Sequence, residues 1–120
     1  MTGTEFETAF TQWLFDKGFW ALNIPRNRFG AQPFDIIAIK ENVVWAMDCK
    51  TCAEKRLDLR RVEANQYTAF DIMQERTRAR CSFVCLHGDT VYEIPFDYVK
   101  MAYTSGAASI KLEHMIAKVR

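Results

Sequence analysis

Two apolar, β-branched runs, DIIAIK (35–40) and VVWAMDCK (43–50), are separated by Glu41 and Asn42 alone, and this spacing constrains the fold more than any other feature. A two-residue loop joins antiparallel strands and sets their register, even though Glu-Asn is a weaker turn former than Asn-Gly. Lys40 then pairs with Val43, and Asp35 falls directly opposite Asp48. Opposed residues share a face, with Cβ atoms about 4.5–5.5 Å apart. Lys50, two residues past Asp48, points the same way. Like charges opposed across a sheet are destabilising, so the two carboxylates gain from proximity only if a cation or a proton sits between them.

Around this hairpin, hydrophobic periodicity predicts a helix from about Glu5 to Lys17, with Phe6, Phe10, Trp13 and Leu14 as its stripe and Gly18 as its stop. A short strand is expected over Phe19–Ile24, ended by Pro25, followed by the basic loop PRNRFGAQP. A second helix is expected from about Leu59 to Gln74, with Gln66 in the middle of its apolar stripe. CSFVCL and TVYEI flank HGD as a second hairpin, and a last helix is expected over about Ala107–Val119. At 120 residues and 49% hydrophobic, the chain has material for one sizeable core, so one domain over 1–120 is expected, its core at about 4–95 and a helical extension at about 96–120.

A formal charge of +1 gives no global field, so a polyanionic partner has to be held by a local patch. The start of the chain is acidic where a signal peptide needs basic residues, and no apolar run approaches bilayer length. A soluble, cytoplasmic protein is expected. Four cysteines in a chain with ample core read as reduced thiols. Counted instead as Cys49-x2-Cys52 and Cys81-x3-Cys85, they offer a four-thiolate zinc site, but neither pair carries the glycine-bearing knuckle of a zinc ribbon. His87 and His114 have no partners at catalytic spacing.

QPFDII, with Pro33 and Asp35, followed by MDCK, with Asp48, Cys49 and Lys50, resembles the motif of the PD-(D/E)xK nucleases. FETAFTQWLFDKGFWAL resembles the opening of the archaeal-type Holliday junction resolvases in that superfamily, with Glu7 matching the helix glutamate and Glu5 as the alternative. VEANQYTAF resembles their second helix, with Gln66 matching a glutamine that reaches the active site. The resemblance implies a restriction-endonuclease-like α/β core, a central mixed sheet of about five strands flanked by helices in the order α-β-β-β-α-β-β. It implies a metal-dependent endodeoxyribonuclease acting on branched DNA as a homodimer, with no organic cofactor. Asp35, Asp48, Glu7 and the backbone carbonyl of Cys49 are then expected to hold Mg²⁺ or Mn²⁺, with Lys50 stabilising the transition state and Gln66 supporting it.

Basic residues cluster where such a site needs them. Lys55, Arg56, Arg60 and Arg61 follow the catalytic strand, Arg26 and Arg28 precede Asp35, and Arg76, Arg78 and Arg80 close the glutamine helix. They suit phosphate contacts without sequence readout. The same core would also serve a restriction, repair or replication nuclease on linear or flapped DNA, or a catalytically silent DNA-binding protein. A small stand-alone nuclease of this kind would suit a phage as well as a host chromosome.

Overall fold

The computed structural model describes residues 1–25 and 32–119. The chain opens with helix α1, Gly3–Asp16. Thr2 caps it: Glu5 N–H donates to Thr2 Oγ1 at 3.1 Å, and Thr2 N–H donates back to Glu5 Oε1 at 3.0 Å. Gly18 turns the chain out of the helix with φ 90°. Phe6, Phe10 and Leu14, at the expected spacing, are fully buried against the sheet.

Strand β1 (Trp20–Asn23) lies antiparallel to β2 (Ile36–Lys40), which pairs antiparallel with β3 (Val43–Thr51). Lys40 faces Val43 and Ile36 faces Met47, the register that the two-residue loop dictates. After β3 come a three-residue strand β4 (Arg56–Asp58), one 3-10 turn (Leu59–Arg61) and helix α2 (Ala64–Arg76). This crossover returns the chain to β5 (Arg80–His87), parallel to β3 with Asp48 beside Phe83 and Lys50 beside Cys85. A crossover of this length is what a parallel pair requires. β6 (Thr90–Pro95) forms the second hairpin with β5 and runs into α3 (Phe96–Ser105).

Among the described residues the main sheet has six strands in the order β1-β2-β3-β5-β6-β8, where β8 is Met115–Lys118, and only β3–β5 is parallel. α1 covers one face, burying Phe6, Phe10 and Leu14 with Ile36, Trp45, Met47, Val84 and Val91. On the other face Phe70 of α2 meets Phe34, Phe83 and Phe96. This is the mixed α/β core expected from the sequence, one strand larger.

Two expectations are corrected. The second helix starts at Ala64, five residues later than the apolar stripe suggests, because Asp58 accepts a hydrogen bond from Arg60 N–H at 2.9 Å and caps a separate 3-10 turn. Tyr103 Oη donates to the carbonyl of Leu59, holding that turn apart from the helix. Gln66 therefore lies in the first turn of α2, not its middle. The expected helix over Ala107–Val119 is absent as well. α3 ends at Gly106 in the left-handed region, φ 75°, and residues beyond it form β7 (Ser109–Lys111), paired with β4, and β8, paired with β6. The edge of β6 presents unpaired backbone groups, and satisfying them outweighs the weak helical period of this segment.

Candidate active site

Charge converges at the carboxyl end of β3. Asp35 N–H donates at 2.9 Å to the carbonyl of Met47, the residue already paired with Ile36, so Asp35 lies just beyond the end of the β2–β3 register, with its side chain beside Asp48 and Cys49. Asp48 alternates onto the same face as Ala46, the face covered by α2. Both carboxylates are buried, Asp35 at 8% exposure and Asp48 at 1%. Lys50 reaches back along the strand to place Nζ 2.9 Å from Asp48 Oδ2.

The first turn of α2 braces this group. Gln66 Nε2 donates to Asp48 Oδ1 at 3.0 Å, while its Oε1 accepts from Lys50 Nζ at 3.3 Å and from Glu63 N–H at 3.1 Å. One amide thus fixes the carboxylate, the ammonium and the start of its own helix. Asp35 is held from two sides, by Cys49 N–H at 2.7 Å on Oδ2 and by Gln32 Nε2 at 2.5 Å on Oδ1. Asn65, beside Gln66 on α2, donates from Nδ2 to the Gln32 carbonyl at 3.1 Å.

Burial pushes the Asp48 carboxyl up to about 7; the Lys50 ammonium opposes that rise and the Asp35 carboxylate adds to it. Asp48 Oδ2 has its ion pair with Lys50 but no well-aligned hydrogen bond among the described residues. A buried acceptor of this kind, beside a second carboxylate, suits a hard cation that takes oxygen ligands. Among the described residues, however, no three His, Cys, Asp or Glu side chains stand together as a metal cluster. The structure brings Asp35, Asp48, Lys50 and Gln66 together as a group. Glu7 is buried on α1 near Cys49, whose thiol is pushed well up by burial and by the Asp35, Asp48 and Glu7 carboxylates. Glu5 is exposed and occupied by the α1 cap.

The basic residues divide. Arg56 and Arg61 line a shallow groove of about 340 Å³ with Cys52, Glu54 and Asp58, at the exit of β3. Arg61 Nη1 donates to the Thr51 carbonyl at 2.7 Å, and Arg60 pairs with Asp58 at 2.7 Å while remaining exposed. Lys55 Nζ lies 5.4 Å from the centre of the Tyr92 ring. Arg80 leaves the expected basic set: it opens β5 on the α1 side, stacked 3.7 Å over the Trp45 ring and paired with Glu93. Arg26 and Arg28 lie outside the described residues. The cysteines do not form a common cluster, since Cys49 faces the α1 side whereas Cys52, Cys81 and Cys85 pack on the α2 side. Sequence reasoning gave Gln32 and Asn65 no role, although QPFDII and VEANQYTAF contain them, because only the folded chain brings them to Asp35.

Comparison with known proteins gives a consistent placement. The family model described as archaeal Holliday junction resolvase (hjc) matches residues 1–119. A solved structure titled as Archaeoglobus fulgidus Hjc, a Holliday junction resolvase from an archaeal hyperthermophile, is similar at 21% identity with a TM-score of 0.65. That match covers 79% of this chain and 78% of the other. No curated protein sequence matches the chain.

Proposed function

The chain belongs to the archaeal Holliday junction resolvase family, enzymes that hydrolyse DNA at branched junctions, and from that membership we propose how its own residues carry the reaction. The observation behind the reading is the pairing of two buried carboxylates on one face with Lys50 and Gln66 beside them. Phosphodiester hydrolysis develops negative charge on the phosphoryl oxygens and needs hydroxide near neutral pH.

The family generally uses a divalent metal. Asp35 and Asp48 would hold it, with Glu7 completing the set directly or through water. Glu7 takes that place over Glu5, because Glu5 is committed to the helix cap. The Cys49 carbonyl would be a further ligand: its N–H donates toward Asp35, and in an extended strand a residue's carbonyl points to the same side as its N–H. An all-oxygen donor set suits Mg²⁺ or Mn²⁺. When bound, the ion neutralises charge at the scissile phosphate and makes hydroxide available at neutral pH.

Lys50 donates a hydrogen bond to the attacking water or to a phosphoryl oxygen, and Gln66 keeps its ammonium aimed there. Lys55, Arg56, Arg60 and Arg61 contact the phosphates on either side of the cut. Two copies related by a two-fold axis would make the paired nicks that resolve a junction. The stripe of Tyr98 and Met101 on α3, 59% and 66% exposed, is an apolar surface available for that pairing.

The test is cleavage of a labelled four-way junction beside the matching linear duplex and a flap, with Mg²⁺ or Mn²⁺. Paired symmetric nicks in the junction are expected, reduced by at least about a hundredfold in both Asp48→Ala and Lys50→Ala. Cleavage by Asp48→Ala at the wild-type rate would remove the carboxylate pair from the reaction.

A further inference from the structure

Gln32 has the contacts of a working part of the site. Its Nε2 donates to Asp35 Oδ1, and Cys49 N–H holds Oδ2, so the rotation of this carboxylate is set by two donors. Its own backbone is stiffened in two ways. Pro33 follows it, which restricts Gln32 to extended conformations, and Asn65 of α2 grips its carbonyl. Neighbouring residues of one helical turn therefore hold both carboxylates, Gln66 directly on Asp48 and Asn65 through Gln32 on Asp35.

The other half of the Gln32 amide distinguishes a working part from a structural brace. Gln32 Oε1 is buried and has no hydrogen-bond partner among the described residues. An amide kept only for packing would have both ends satisfied, because an orphaned buried acceptor is costly. An acceptor beside Asp35 would find its donor in the water shell of a cation held by that carboxylate.

We propose that Gln32 is a positioning residue of the resolvase site, orienting Asp35 toward the divalent cation and accepting a hydrogen bond from the hydrated cation through Oε1. The inference rests on the reading of Asp35 as a metal ligand. Its partner Asn65 transmits the position of α2 to the same carboxylate.

The experiment is a Mn²⁺ titration of the full chain without DNA, read by the spectroscopic signal of free Mn²⁺, alongside steady-state junction cleavage in Mg²⁺. Gln32→Met keeps length and loses both polar atoms. It is expected to weaken Mn²⁺ binding by about 10- to 100-fold and to lower kcat with KM for the junction unchanged, the signature of a lost support to a metal ligand. Asn65→Ala, which leaves the Gln32 side chain intact, is expected to weaken Mn²⁺ binding in the same direction by a smaller factor. Wild-type Mn²⁺ affinity in Gln32→Met overturns the proposal, and so does wild-type affinity in Asn65→Ala should Gln32→Met fail to fold. Asp35→Asn separates the two readings. If it too binds Mn²⁺ as wild type, the metal-ligand reading falls and the role of Gln32 with it; if it loses binding while Gln32→Met does not, only the role of Gln32 falls.

Discussion

Glu93 is the charged residue whose surroundings explain it best outside the site. It is 6% exposed, yet Arg80 donates to it twice, at 2.6 and 2.8 Å, and Ser82 Oγ donates at 2.5 Å. Trp45 Nε1 completes the chain with a hydrogen bond to Ser82 at 3.1 Å, and the Arg80 guanidinium stacks on the same indole. Burial alone would raise the Glu93 carboxyl, but the combined donors from Arg80 and Ser82 overcome that and leave it below its ordinary 4.5. A carboxylate lowered on folding contributes stability that is full above its unfolded pKa and is lost as pH falls through its folded one. Glu93→Gln is therefore expected to cost about 1–3 kcal/mol at pH 7, since Arg80 is partly exposed and keeps some hydration. Denaturant unfolding at pH 7 and at pH 3 checks it: the gap between wild type and variant should narrow at the acid end.

At the scale of elements, the β2–β3 hairpin carries both the register and a local conflict. Glu41, the first loop residue, has φ 53°, a left-handed conformation that an L side chain adopts at a cost of about 1 kcal/mol. The turn is kept because register is enforced from elsewhere: Ile36, Ala38 and Met47 are fully buried on one face, and a one-residue slip would turn them to the other. Glu41→Gly removes the strain and is expected to stabilise the chain by up to about 1 kcal/mol, with junction cleavage unchanged. Thermal unfolding measures the first and the nuclease assay the second. No rise in Tm would mean that the greater freedom of glycine in the unfolded chain cancels the relief.

For the whole molecule, the decisive arrangement is the parallel contact between β3 and β5, which seats the site beneath α2 and ties the two hairpins into one sheet. The final strands close this sheet. β8 pairs with β6, and the buried Leu112 and Val119 pack into opposite cores. Truncation after Gly106 would leave the edge of β6 open and withdraw both side chains. The shortened chain is expected to aggregate or to unfold at markedly lower denaturant, read by light scattering and a urea titration. Retention of the wild-type midpoint would mean that residues 107–120 are dispensable to the sheet.

Local spacing alone determined the centre of the site. A two-residue loop and a period of two suffice to set the register from Lys40–Val43 to Ile36–Met47, which leaves Asp35 beside Asp48 and brings Lys50 to the face of Asp48. The helix carrying Gln66 was legible from its apolar stripe, although its start was not, because Asp58 divides the segment by a capping bond that periodicity does not register. Tertiary structure decided the rest. Gln32 and Asn65 meet across 33 positions of chain, Glu7 comes near Cys49 through the packing of α1, and residues 109–111 and 115–118 become strands because β4 and β6 offer them partners. Contacts of that span depend on where whole elements dock, and docking is settled by the burial of two apolar cores rather than by the residues that meet.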